Sequence, residues 1–246
     1  MIKLSRSQQI ALVVALAVVT VALVAYAVKG GGTSRPESAG ASSPASSSPS
    51  TSVEPPVPTM LVIGDSAAAG SGASARRTAW VGRVTTGIGW TVINRSVQGA
   101  GYVARTNGVG SCTRPKCPSF AALLARSKSQ QVDVVLVAGG RDDVLVTDDT
   151  SAATRALFAA IRKAFPEAKI VALSPSYDTI FTPASAALTA DVKAAVTRVK
   201  GTYADIGRPL ADHAERVAAD GTSPNDMGHR AIARAVLDAL RNADIA

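Results

Sequence analysis

The sequence predicts an α/β fold, a mostly parallel sheet covered by helices on both faces, and two observations carry this. From residue 59 onward short apolar runs alternate with longer segments of helical pattern, the sequence signature of a layered α/β domain. Two of the runs, Trp90 to Asn94 and Val132 to Ala138, are bounded by glycine turns, and the second is apolar enough to be a strand buried on both faces.

The elements follow in order. Residues 1–9 carry Lys3 and Arg6 and precede Ile10 to Val28, an uninterrupted run of 19 uncharged, mostly apolar residues. That length spans a hydrocarbon core of about 30 Å as a helix. The preceding charges place the N-terminus in the cytoplasm and the rest of the chain outside. Cleavage as a signal peptide at Ala25-Tyr26-Ala27, giving a secreted protein, is the alternative. Residues 29–58 turn to Gly, Ser, Ala and Pro and read as a flexible tether. The domain proper is expected over 59–246. Its strands are Thr59 to Ile63, Trp90 to Asn94, Val132 to Ala138, Lys169 to Ser174 and a segment at Tyr203 to Ile206. Its helices are Ala79 to Thr86, Ser119 to Ala125, Thr150 to Ala164, Ala184 to Lys200 and Asn225 to Asn242. In the last helix Ile232, Val236 and Leu240 recur every four residues and face the sheet.

Composition narrows the function. Aromatic residues are only 4 % of the chain, too few for a base-stacking nucleic-acid platform. No glycine-rich loop carries the Lys-Ser/Thr of a phosphate-binding loop, and no cofactor is called for. The formal charge is +8; it suits anionic envelope polymers or lipid head groups, or is simply a basic solvated surface. Cys112 and Cys117 close a short loop, and in an oxidising compartment a local disulfide is the simplest reading. Two cysteines without a nearby histidine do not complete a zinc site.

The chemistry concentrates in four segments. Leu61-Val62-Ile63-Gly64-Asp65-Ser66 is a strand ending in a Gly-Asp-Ser turn. Val97-Gln98-Gly99-Ala100-Gly101 follows the second strand. Gly139-Gly140-Arg141-Asp142-Asp143 follows the third, and Asp220-Gly221-Thr222-Ser223-Pro224 precedes the last helix. In type and order these segments resemble the SGNH (GDSL-type) hydrolase superfamily. The resemblance covers nearly all of 59–246 and implies a three-layer α/β/α sandwich of flavodoxin-like form. It also implies Ser66 as nucleophile, Gly99 as a backbone oxyanion donor and Asp220 as the residue that orients the base. Two positions depart from the pattern: Asp142 stands where the family has an asparagine, and Ser223 stands where it has the base histidine.

Both departures fall on working groups. A serine hydroxyl needs a base to take its proton, and removing the histidine of a triad costs roughly 10⁴ to 10⁶ in rate. Losing one oxyanion donor costs on the order of 3 kcal/mol of transition-state stabilisation, and an ionised Asp142 offers only acceptors. The chain has two histidines. His229 reads as a residue of the last helix; His213, in the loop after the fifth strand, is the candidate for a substitute base. Asp65 reads as a turn-fixing residue, and Asp142 and Asp143 as side chains that diverge. Three functions fit: a weak extracytoplasmic esterase acting on an acylated glycan or lipid, a non-catalytic binder of such a ligand, and a rigid partner for another envelope protein.

Overall fold

The computed structural model describes residues 56–103, 105–106, 108–127, 131–146, 150–174 and 182–246. The expected membrane span and nearly all of the tether lie outside the described residues, as do Asp148, Asp149 and most of the Tyr177 to Pro183 loop. Among the described residues no helix is long and apolar enough to cross a membrane.

Five strands, β1 (Thr59–Gly64), β2 (Thr91–Asn94), β5 (Val134–Ala138), β6 (Lys169–Leu173) and β7 (Thr202–Ala204), form one sheet in the order β2-β1-β5-β6-β7. Every pairing is parallel. A separate antiparallel ribbon joins β3 (Arg105–Thr106) to β4 (Lys116–Cys117). The helices are α1 (Ser66–Ala69), α2 (Trp80–Ile88), α3 (Phe120–Ala125), α4 (Thr150–Ala164), α5 (Pro183–Arg198) and α6 (Asp226–Asn242).

The two-residue period of the strands divides the core. In β1, Met60 and Val62 join one cluster with Trp80 and Val84 of α2 and Ile232, Val236 and Leu240 of α6. Leu61 and Ile63 point the other way, to Phe120 of α3, Leu157 and Phe158 of α4 and Val192 and Val196 of α5. All four β1 side chains are fully buried, each contributing about 1.5–3 kcal/mol by leaving water. The sheet is therefore the middle of three layers, as the resemblance implies.

Topology then locates the site. From β1 the chain moves to one side to reach β2, then crosses back over β1 to reach β5. The order reverses between β1 and β5, and open α/β sheets bind ligands in the crevice outside the carboxyl ends at such a switch point. Ser66 lies two residues after the end of β1, and Asp142 four residues after the end of β5.

Element bounds differ from expectation by one or two residues. The turn after β1 is in fact a one-turn helix, α1. The fifth strand starts at Thr202 and ends at Ala204, because Ile206 has already left the ladder to donate its N–H to Ser174 Oγ at 3.2 Å.

Candidate active site

The turn after β1 is held by Asp65. Its backbone N–H donates to the Ala138 carbonyl at the end of β5, at 3.1 Å. Its side chain caps α1, Oδ1 accepting the N–H of Ala67 at 3.0 Å and of Ala68 at 3.4 Å. This satisfies donors that a helix start leaves open. Burial pushes the Asp65 carboxyl up to about 7; the backbone donors of Ala68 and Ala67 pull it down, while Asp142 and Asp143 add to the rise. Gly64 is required just before it, since a Cβ there would stand 2.5 Å from Ala68 Cβ and 2.6 Å from the Ala138 carbonyl oxygen. Ser66, first residue of α1, places its Oγ 2.9 Å from the Gly99 N–H, which donates to it.

Gly99 is held from two sides. Its φ of +77° is open to glycine, and a Cβ would come within 2.6 Å of Cys117 Sγ and 2.8 Å of Cys112 Cα. The cysteines form the expected disulfide, with Cα atoms 5.8 Å apart. Opposite, Arg105 Nη1 donates to the Gly99 carbonyl at 3.1 Å, and Arg105 Nη2 lies 2.7 Å from Asp143 Oδ1 with both side chains fully buried. Asp143 also accepts the N–H groups of Tyr102 and Val103, each at 3.1 Å. Burial pushes the Asp143 carboxyl up, and Arg105 and the two backbone donors pull it back. Sequence reasoning missed Arg105. Nothing local marks it, since its partner lies 38 positions further on and its role depends on the chain bringing the two loops together.

Asp142 and Asp143 diverge as expected. Within the 3-10 turn Arg141–Leu145, Asp143 turns to Arg105 while Asp142 turns to the cleft, where its Oδ2 accepts the Ser111 N–H at 2.6 Å. Asp142 is thus fixed in the cleft by a backbone donor.

The turn before α6 is ordered by Asp220. Asp220 Oδ1 accepts the N–H of Thr222 at 2.8 Å and of Ser223 at 2.7 Å. The Ser223 hydroxyl also bonds the Asp220 side chain and, with the two backbone donors, holds its carboxyl down at about 2. Asp220 orients residue 223, and residue 223 is an alcohol with no proton-accepting capacity near neutral pH. The cleft itself is small, with a free volume of about 20 Å³, and is lined by Asp65, Ser66, Ser111, Arg141, Asp142, Thr222 and Ser223 among others.

Neither histidine is among the residues lining this cleft. His213 stands outside the cleft lining, with Nδ1 2.8 Å from Glu215 Oε1 and a side chain 43 % exposed. His229 is fully buried in α6. Its Nδ1 accepts the Trp80 N–H at 3.2 Å, so its Nε2 carries the proton and donates to the Ser71 carbonyl at 3.0 Å. Burial pushes its pKa down and keeps it neutral. Its work is to tie α6 to the start of α2 and to the loop after α1. Among the described residues no group of His, Cys, Asp and Glu is arranged to hold a metal ion.

Residues 62–231 match the model of the GDSL-like lipase/acylhydrolase family. No curated protein matches the chain by sequence. Several solved structures share the fold. A carbohydrate esterase family 2 enzyme with a carbohydrate-binding domain, from Corynascus thermopiles (Myceliophthora fergusii), is 20 % identical. The match covers 76 % of this chain and 67 % of that one, with a TM-score of 0.60. The psychrotrophic esterase EstA from Pseudoalteromonas sp., in a structure inhibited by monoethylphosphonate, is 18 % identical over 75 % of this chain and 97 % of its own, TM-score 0.57. A family two carbohydrate esterase from Clostridium thermocellum, in complex with cellohexaose, is 12 % identical over 77 % and 66 %, TM-score 0.57.

Proposed function

The chain belongs to the GDSL-like lipase/acylhydrolase family, and from that premise we propose that it is an extracytoplasmic, membrane-anchored member of crippled activity whose cleft receives an acylated glycan or lipid of the cell envelope. The observation that carries this is the pairing across the cleft. Ser66 meets the Gly99 N–H, whereas the Asp220 carboxylate orients Ser223.

In this reading Ser66 Oγ attacks the ester carbonyl, and the Ser66 and Gly99 N–H groups receive the negative oxygen. The Ser66 proton passes to water, since the described partner of Ser66 Oγ is the Gly99 N–H, itself a donor, and position 223 holds a serine. Water likewise protonates the leaving alcohol, and a second water releases the acyl group from Ser66. Residual hydrolysis of this kind rests on the oxyanion donors and on binding alone. The apolar run from Ile10 to Val28 and the tether at 29–58 support the envelope location, as does the Cys112–Cys117 disulfide. The carbohydrate esterases that share the fold support a glycan ester as ligand.

The test treats the full-length chain with a fluorophosphonate probe and then a small acetyl ester, beside Ser66→Ala and Ser223→His. We expect an almost inert parent and a Ser223→His variant that gains both labelling and turnover. Turnover in the parent that disappears in Ser66→Ala would show that another group activates the serine, and His213→Ala would then be compared. A second reading, a binding protein with no catalysis at all, is favoured by Asp142, whose carboxylate repels the oxyanion that catalysis must create. Labelling that stays absent in Ser223→His selects that reading.

A further inference from the structure

We infer that the groove between α2 and α6 is a binding site for a linear polyanion with phosphodiester repeats, gripped by Arg83, Arg230, Arg234 and Arg241. The groove lies apart from the cleft, and the inference takes from the proposed function only the extracytoplasmic location, which makes the polymer one of the cell envelope.

The groove follows from how α6 packs. Ile232, Val236 and Leu240 turn one side of the helix to the sheet, and Arg230, Arg234 and Arg241 are exposed on the rest of its surface. Arg83 of α2 joins them around a groove of about 270 Å³ free volume. Ala233 and Leu237 also line it, and Gly87 of α2 comes close to Leu237, where a Cβ would stand 3.0 Å from Leu237 Cδ1. Among the described residues the one carboxylate in the lining is Asp238, which lies 3.3 Å from Arg241 Nη1. Arg83 Nε donates to the Thr78 carbonyl at 2.8 Å, which sets its guanidinium in place. Arg230 and Arg234 have no hydrogen bond or ion pair among the described residues.

The charges point to a ligand and to its shape. Arg230 and Arg234 stand one turn apart with like charge, an arrangement that destabilises a helix, so the stability of α6 does not account for the pair. All four cations are arginines, whose planar forks take two oxygens of a phosphate at once. From Arg230 to Arg241 the helix rises about 16 Å, a row for several anionic groups in line rather than for one ion. Ala233 and Leu237 offer apolar contact to the carbon segments between those groups. A bilayer surface suits the groove less, because interfacial helices bury exposed apolar side chains and none of the large exposed apolar side chains lines it. With aromatic residues at 4 % of the chain, base stacking adds nothing, and the polymer is held through its backbone charge.

The test is calorimetric titration of the full-length chain, in a neutral detergent, with a synthetic poly(glycerol phosphate) oligomer, with uncharged polyglycerol and with polygalacturonate. We expect the parent to bind the phosphate oligomer and not the uncharged one. Arg230→Gln with Arg234→Gln should weaken binding by about 10-fold and lower the slope of log affinity against log salt by about 2. Arg155→Gln with Arg198→Gln removes the same charge from exposed positions on α4 and α5 and should change affinity by less than about 2-fold. Melting temperatures check folding, and Arg234→Gln alone, expected to show half the change in slope, serves if the double variant is unstable. Equal weakening by the two double variants overturns the proposal, since it reduces the effect to net charge. So does unchanged affinity in the folded groove variant, tighter binding of polygalacturonate, or failure of the parent to bind the phosphate oligomer. Protection of Arg230 and Arg234 from phenylglyoxal by phosphatidylglycerol vesicles but not by phosphatidylcholine vesicles, read by mass spectrometry after reconstitution, gives the groove to the bilayer and also overturns it. Binding is read on the purified chain, so failure here leaves the fluorophosphonate test of the cleft untouched, and an inert Ser66 leaves the groove as it is.

Discussion

The two halves of the cleft differ in how deeply the fold holds them. On the nucleophile side, Asp65, Asp143 and Arg105 are buried, and Gly99 is held between a disulfide and a guanidinium. On the base side, Asp220 and Thr222 lie exposed in a short turn whose order comes from its own side-chain bonds. A replacement in this turn meets less packing than one on the buried side, although Ser223 itself is half-buried close against Gly72. On the other side, the residues that support Gly99, Arg105 and Asp143, are fully buried, and replacing one would disturb the structure around it. On the proposed reading, this contrast fits a Ser66 and Gly99 that are retained beside a base position that is not.

The largest expected effect comes from repairing the exposed half. Asp220 already orients residue 223, so Ser223→His should raise kcat/KM for a small acetyl ester by on the order of 10³ or more, a large part of what a triad histidine supplies. Adding Asp142→Asn should give roughly another 10² by replacing a repelling carboxylate with a donor. If the double variant is as inert as the parent, the two halves are not in register and the comparison fails.

Breaking the buried half should cost stability instead. Asp143→Ala leaves Arg105 charged, buried and unpaired, and removing one partner of such a pair costs about 3–5 kcal/mol. Urea unfolding measures this. Replacing both partners, as Arg105→Met with Asp143→Leu, should recover much of the loss while leaving Gly99 without its carbonyl donor. Amide exchange at Gly99 should then quicken even where the melting temperature is restored.

The pH dependence of the two halves has opposite sign. Asp65 is raised by burial to about 7, so the folded state holds a proton that the unfolded state releases near pH 4. Its contribution is fully present below about pH 4 and is lost as pH rises toward 7, by up to about 1.4 kcal/mol per unit. Asp220, lowered to about 2 by its hydrogen bonds, contributes above about pH 4 and loses that contribution only as pH falls toward 2. Stability measured between pH 4 and pH 7 should therefore fall more steeply in the parent than in Asp65→Asn, whose amide oxygen can still cap α1. Equal slopes would show that Asp65 is not the buried acid described.

Much of this fold was legible in the sequence because β1 and β5 are apolar enough to be central strands and the helices between them carry a clear period. Asp65 and His229 were legible as structural residues because their places, beside a turn and inside a helix, leave them little else to do. Arg105 was not legible, nor was the contact of the Ser111 N–H with Asp142. Each depends on loops distant in sequence closing on one another, and neither leaves a local pattern. Ser223 stands where the resemblance leads one to expect a base; that its hydroxyl is tied to Asp220 needed the geometry.

The smallest effect tests the exposed half alone. Asp220→Ala removes two backbone hydrogen bonds and one from Ser223, all at the surface where water replaces them, so stability should change by less than about 1 kcal/mol. In the parent nothing else should change, because the residue it orients does no chemistry. In the Ser223→His background the same substitution should lower ester turnover by a further factor of about 10² or more, since an orienting aspartate matters once a histidine is present to be oriented. The difference between the two backgrounds is a double-mutant cycle. A coupling near zero would mean that the introduced imidazole does not settle against Asp220, and that the base side has lost its geometry as well as its base.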